Sequence, residues 1–152
     1  MKVLLIIIFS LTVSIQAFAC ECPELTLQEL DKESYEWSEV VLTGTLTKAG
    51  KRYKVIVSEV LKGEVEGSIL FGLTEGDEEI FVCTFFPHIE GEYLLYLKKT
   101  TIGKKTYYYS YACLGSRSLN MEDIPVALRT EESKEKLIKE TKAWIAELRR
   151  KE

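Results

Sequence analysis

The first apolar run in the chain is unlike every later one. Val3 to Val13 is hydrocarbon apart from Ser10 and Thr12. Beyond Cys22 the pattern becomes that of a folded domain. Thr26-Leu-Gln-Glu29 has the form of a capping box, in which the Thr26 hydroxyl and the Glu29 carboxylate each satisfy a free backbone N–H. It predicts a short helix to about Ser38, with Leu30, Tyr35 and Trp37 as its large apolar residues. Val40 to Leu46 is β-branched and apolar and reads as a strand, ended by a turn at Ala49-Gly50. Arg52 to Leu61 alternates, with Tyr53, Val55 and Val57 on one face. Further strands are predicted over Ser68–Leu73, Ile80–Phe86, Glu92–Lys98 and Lys105–Cys113, separated by turns rich in glycine or charge. In the tail, Leu137, Thr141, Trp144 and Leu148 recur at spacings of four, three and four, widened by Ile138 and Ile145. That stripe predicts an amphipathic helix from about Glu131 to Arg150 packed across the strands. The whole reads as one domain, all-β with flanking helices, built as a small barrel or sandwich.

The leading apolar run changes this picture by removing residues from it. Lys2 supplies a positive start, and Ala17-Phe18-Ala19 has the small-x-small form that signal peptidase accepts. Residues 1–19 are therefore expected to be a signal peptide, and the protein to be secreted or periplasmic. The run falls short of the ~20 residues that span a bilayer. Cleavage takes 19 of 152 residues and leaves 133, starting at Cys20. Only Lys2 is lost among the charges, so 24 acidic side chains face 19 basic ones. An acidic balance argues against nucleic acid as a partner. All four cysteines, Cys20, Cys22, Cys83 and Cys113, follow the cleavage site, and an even number in an exported chain predicts two disulfides. Zinc is the weaker reading, because the spacing is CxC and not CxxC.

A terminal Cys20-Glu21-Cys22-Pro23 has a chemical consequence. If both thiols are in disulfides, the first three residues are pinned and the α-amine is held in one place. An α-amine has a pKa near ~7.7–8, so a useful fraction is neutral at physiological pH. With the adjacent carbonyl oxygen it forms a five-membered chelate, suited to a metal held in another protein's active site.

These features resemble the netrin-like family and, within it, the N-terminal domain of the tissue inhibitors of metalloproteinases. The similarity runs through the terminal CEC, Ser38-Glu-Val-Val-Leu-Thr-Gly44, Tyr53-Lys-Val-Ile-Val-Ser-Glu-Val-Leu-Lys-Gly63, Cys83, Gly91-Glu-Tyr-Leu-Leu-Tyr96 and Cys113. The resemblance implies an OB-like five-stranded barrel over residues 20–152, with disulfides Cys20–Cys83 and Cys22–Cys113. It implies that the Cys20 amine and carbonyl bind the catalytic zinc of a protease, and that Glu21 enters the specificity pocket beside it. Glu21 departs from the family, since an unpaired carboxylate is costly in an apolar pocket. A third cysteine pair and a second small domain are also missing. The expected protein is a metalloprotease inhibitor, not an enzyme, with a protein partner, no cofactor, no metal of its own, and a monomeric state. The alternative is a non-inhibitory netrin-like binding or adhesion module, lipid-anchored if Cys20 is acylated. Phe18 fits that acylation poorly, and acylation would leave three cysteines.

The remaining polar features read as ordinary surface. His88 is the single histidine and follows Pro87 in a turn. Lys98-Lys99 and Lys104-Lys105 form a basic hairpin tip, and Glu75 to Glu79 lacks the ligand spacing of a calcium loop. Tyr107, Tyr109 and Tyr111 share one face of a strand. Aromatic strand faces can bind sugars or single strands, but the expectation is that one face of the strand is core and the other is half-covered by the tail helix.

Overall fold

The computed structural model describes residues 20–50, 52–65, 69–71, 83–102, 104–128 and 132–151. The predicted signal peptide and its cleavage site lie outside the described residues, as does the acidic run Glu75 to Glu79. In chain order the elements are α1 (Leu27–Trp37), β1 (Val40–Ala49), β2 (Arg52–Lys62), β3 (Ile69–Phe71), β4 (Gly91–Ile102), β5 (Lys105–Tyr109), β6 (Arg117–Ser118) and α2 (Lys134–Leu148). The strands make one antiparallel sheet in the order β3-β2-β1-β4-β5, with β6 also paired to β4. The outer strands β3 and β5 lie against each other, with no ladder between them among the described residues.

The two central strands are buried on both faces, which is why they read as apolar runs as well as alternating ones. Val40, Leu42 and Leu46 of β1 and Tyr93, Leu95 and Leu97 of β4 share one core with Val55, Ile69 and Phe85. Val41, Leu94 and Tyr96 point the other way, onto Ile145 and Leu148 of α2. A third cluster joins Leu27 and Leu30 of α1 to Met121, Ala127 and Leu128 of the long loop and to Leu137 of α2.

α1 starts where the capping box places it: Thr26 Oγ1 accepts from the Glu29 N–H, and the Glu29 carboxylate accepts from the Thr26 N–H at 3.0 Å. α2 is shorter than the predicted 131–150. Its N-cap is Ser133, whose hydroxyl accepts from the Lys136 N–H, and residues 149–151 form a turn beyond it. The Ile80–Phe86 strand needs a larger correction. Residues 80–82 are outside the description, and 83–86 are not a strand: Cys83 sits in a turn at φ 69, and Thr84 makes an isolated bridge to Tyr111. A left-handed residue held by a disulfide bends the chain where a run of apolar residues reads as straight. The predicted strand Lys105–Cys113 likewise ends at Tyr109.

Gly63 closes the β2 end with φ 74, and a Cβ there would stand 2.2 Å from the Glu39 carbonyl oxygen. Gly63→Ala is expected to cost at least about 2 kcal/mol, left-handed backbone plus a backbone clash. Gly50→Ala, at φ +68 with nothing within 4 Å, is the control and should cost only about 1 kcal/mol. Urea unfolding of both variants checks this, and equal losses would dismiss the clash.

Candidate functional site

The chain enters the fold through an extended segment, Cys20 to Thr26, and three separate attachments hold it. Cys20 is bonded to Cys83 and Cys22 to Cys113. Leu25 makes a parallel bridge to Leu128, its N–H donating to the Ala127 carbonyl at 2.9 Å. Four cysteines allow three pairings, and the observed one matches the family resemblance. Cys20 and Cys22 are half-buried between these anchors, whereas Glu21 and Pro23 face solvent. No cysteine is free among the described residues.

Three of the large apolar side chains exposed among the described residues are on the loops that these attachments reach, after Cys83 and before Leu128. Phe86 is 39 % exposed, Ile124 39 % and Val126 73 %. Their loops touch: the Asp123 carboxylate accepts from the His88 N–H at 2.8 Å and lies 2.8 Å from the Tyr93 hydroxyl. Burial first, then Asp123, pushes the Tyr93 hydroxyl far above its ordinary pKa, so it stays a donor. His88 itself is exposed, and only its backbone takes part. Thus the loop after Cys83 and the loop before Leu128 are both tied to the segment Cys20 to Thr26, with Phe86, Ile124 and Val126 bare on them. Nothing local in the sequence marks these three residues.

The polar centre that joins the two helices to the sheet is not marked in the sequence either. Arg117 is fully buried and its guanidinium meets both oxygens of Asp31, at 2.6 and 2.9 Å. Arg117 also donates to Thr141 Oγ1 at 3.0 Å and to the Gly115 carbonyl at 2.7 Å. The Tyr96 hydroxyl donates to Asp31 at 2.7 Å and accepts from the Trp144 indole at 2.8 Å. α1, β4, β6 and α2 thereby share one hydrogen-bonded group, and no buried side-chain polar atom of the described residues lacks a partner. Burial opposes the Arg117 charge, but Asp31 and Tyr96 outweigh it and the guanidinium pKa rises. Burial, then Asp31, drives the Tyr96 hydroxyl well above its usual value. Asp31, Tyr96, Arg117 and Thr141 are buried, and their work is architectural.

The tyrosine face is covered differently from the expectation. Tyr108 packs against the main core and Ser110 is buried. On the other face Trp37, at the end of α1, meets Tyr111 edge-to-face at 4.9 Å, and Tyr111 meets Tyr109 at 5.5 Å. The tail helix plays no part in these contacts; it packs on Tyr96 and Leu94 instead. Lys98 lies 4.6 Å over the Trp37 ring. Among the described residues no cluster of three or more His, Cys, Asp or Glu side chains could hold a metal.

Fold and site together define an antiparallel sheet flanked by two helices, with an extended segment, Cys20 to Thr26, anchored by two disulfides. No protein-family model matches this chain, and no curated protein or solved structure matches it either.

Proposed function

We propose that the chain is an exported inhibitor of zinc metalloproteases, similar to the tissue inhibitors of metalloproteinases, and not an enzyme. The observation that carries this reading is the terminus: Cys20-Glu21-Cys22 is held at the surface by two disulfides to separate loops. Once residues 1–19 are removed, the Cys20 amine and carbonyl form a chelate whose position is set in advance, so little ordering entropy is lost on binding. The path β3-β2-β1-β4-β5, whose outer strands approach each other, supports an OB-like barrel. Glu21 is exposed and would enter the pocket beside the metal, which selects a protease with a cationic group there. The disulfides fit an oxidising compartment. The Cys20–Cys83 bond weighs against the lipid anchor, which needs the Cys20 sulfur.

A non-inhibitory netrin-like adhesion module is the second reading, favoured by the bare Phe86, Ile124 and Val126 beside the terminus. One experiment separates the two. The protein with a free Cys20 amine is assayed against a panel of zinc metalloprotease catalytic domains beside a form carrying one extra alanine before Cys20. The inhibitor reading expects the extension to weaken inhibition at least about 100-fold, roughly 2.7 kcal/mol. Equal potency of the two forms, or no inhibition by either, sinks it and leaves the adhesion module.

A further inference from the structure

The two disulfides differ in what else holds their ends. Cys22 packs against the cluster of Leu27, Leu30 and Leu128, and three residues on, the Leu25 N–H donates to the Ala127 carbonyl. Its partner Cys113 is held through its neighbours. The Ala112 N–H donates to the Cys83 carbonyl at 2.7 Å, the Leu114 N–H to the Tyr111 carbonyl at 3.1 Å, and the Gly115 N–H to Ser34 Oγ at 2.8 Å. Were this bond opened, its two thiols would stay side by side, at an effective concentration that closes it again. Cys20 has no such support. It stands outside the three core clusters, and among the described residues no backbone hydrogen bond reaches Cys20 or Glu21. Once residues 1–19 are removed, no chain precedes it. Its partner Cys83 stands at φ 69, in a region that costs a residue with a side chain roughly 10-fold in population. All four cysteines are half-buried, so access does not distinguish the two bonds; what each gains by opening does.

We infer that Cys20–Cys83 is a redox-labile bond, opened by an external dithiol while Cys22–Cys113 stays closed, and that its opening releases residues 20 and 21. The chemistry is thiol–disulfide exchange. A thiolate of the dithiol attacks one sulfur of the bond and expels the other as a thiolate, which takes up a proton. The second thiol of the reductant then resolves the mixed disulfide. Cys20 and Cys83 end as thiols, having received two electrons and two protons, and the dithiol ends as a cyclic disulfide. Opening lets the chain before Cys22 move and lets Cys83 leave the left-handed region, and closing again must reverse both. The bond is then a switch on the proposed chelate. That consequence rests on the inhibitor reading, whereas the lability itself does not.

Dithiothreitol is the probe. The two-disulfide chain beginning at Cys20 is equilibrated in mixtures of reduced and oxidised dithiothreitol, quenched with iodoacetamide and mapped by peptide mass. A species alkylated on Cys20 and Cys83 alone is expected to accumulate. Its equilibrium constant for reduction should exceed that of Cys22–Cys113 at least about 10-fold, or roughly 30 mV. In that purified species, backbone relaxation at Glu21 should report fast motion absent from the two-disulfide form, while Leu25 stays ordered. Opening of Cys22–Cys113 first, opening of both bonds together, or an unchanged Glu21 overturns the inference. Inhibition is read last and on the alkylated species, because a free Cys20 thiol would itself ligate a protease zinc. A loss of potency of at least about 10-fold against the two-disulfide form supports the switch. Equal potency of the two forms overturns it. If neither form inhibits any protease, the inhibitor reading fails, and the peptide map and the Glu21 relaxation still decide the lability.

Discussion

Replacing Asp31 by alanine is expected to lower the free energy of unfolding by about 3–5 kcal/mol. Arg117 has no exposed surface, so its charge cannot turn to water when the carboxylate is lost. The Tyr96 hydroxyl loses its acceptor at the same time. The magnitude comes from stranding a buried charge, not from the strength of the pair, and a second variant separates the two. Asp31→Leu with Arg117→Met removes both charges. It leaves the Gly115 carbonyl, Thr141 and Tyr96 each short of a partner but strands no charge, so it is expected to cost less than the single change. Urea unfolding of the three proteins decides it: a double variant as unstable as Asp31→Ala would mean that the lost hydrogen bonds, not the charge, set the cost. Amide exchange adds a local readout, because Thr141 and Trp144 place α2 through this group, and opening of α2 is expected ahead of the sheet.

How much of this was legible in the sequence depends on the distance over which each feature is built. α1 is local, and Thr26 and Glu29 announce it three residues apart. β2 is legible because it alternates, β1 because it is β-branched and apolar, and the Tyr93–Leu97 run of β4 shows burial on both faces. β6 was not legible: Arg117 and Ser118 have no strand signal and pair with β4 only because the chain returns there after Cys113. The buried pair is harder still, since Asp31 and Arg117 are 86 residues apart and charged residues ordinarily read as surface. Two signs were available. Asp31 stands four residues after Leu27 on the buried line of α1, and Arg117 is the one charge between Lys105 and Glu122. Of the terminal region, the CEC was conspicuous, whereas the bare Phe86, Ile124 and Val126 beside it depend on which loops the fold brings together.

The second large effect concerns the disulfides, and it distinguishes their two tasks. Cys22–Cys113 spans 91 residues and Cys20–Cys83 spans 63. By loop closure alone each constrains the unfolded chain by a similar amount, about 4–5 kcal/mol. Cys22→Ala with Cys113→Ala is expected to lose that much, because Cys22 also packs against the cluster of Leu27, Leu30 and Leu128. Cys20→Ala with Cys83→Gly should lose less. Cys83 lies at φ 69, where glycine is at ease, and Cys20 stands outside the three core clusters. The order at residues 20 and 21 should respond in the opposite sense. With Cys22–Cys113 intact the segment is still held from Cys22 onward, and losing Cys20–Cys83 frees the two residues that the proposed chelate requires. Unfolding midpoints together with backbone relaxation at Glu21 test this. If Cys20→Ala/Cys83→Gly destabilises as much as the other pair while Glu21 stays rigid, then Cys20–Cys83 is a structural staple alone. The terminus would then be positioned by Cys22 and Leu25, and the case for a chelate preset by the Cys20 disulfide would fail.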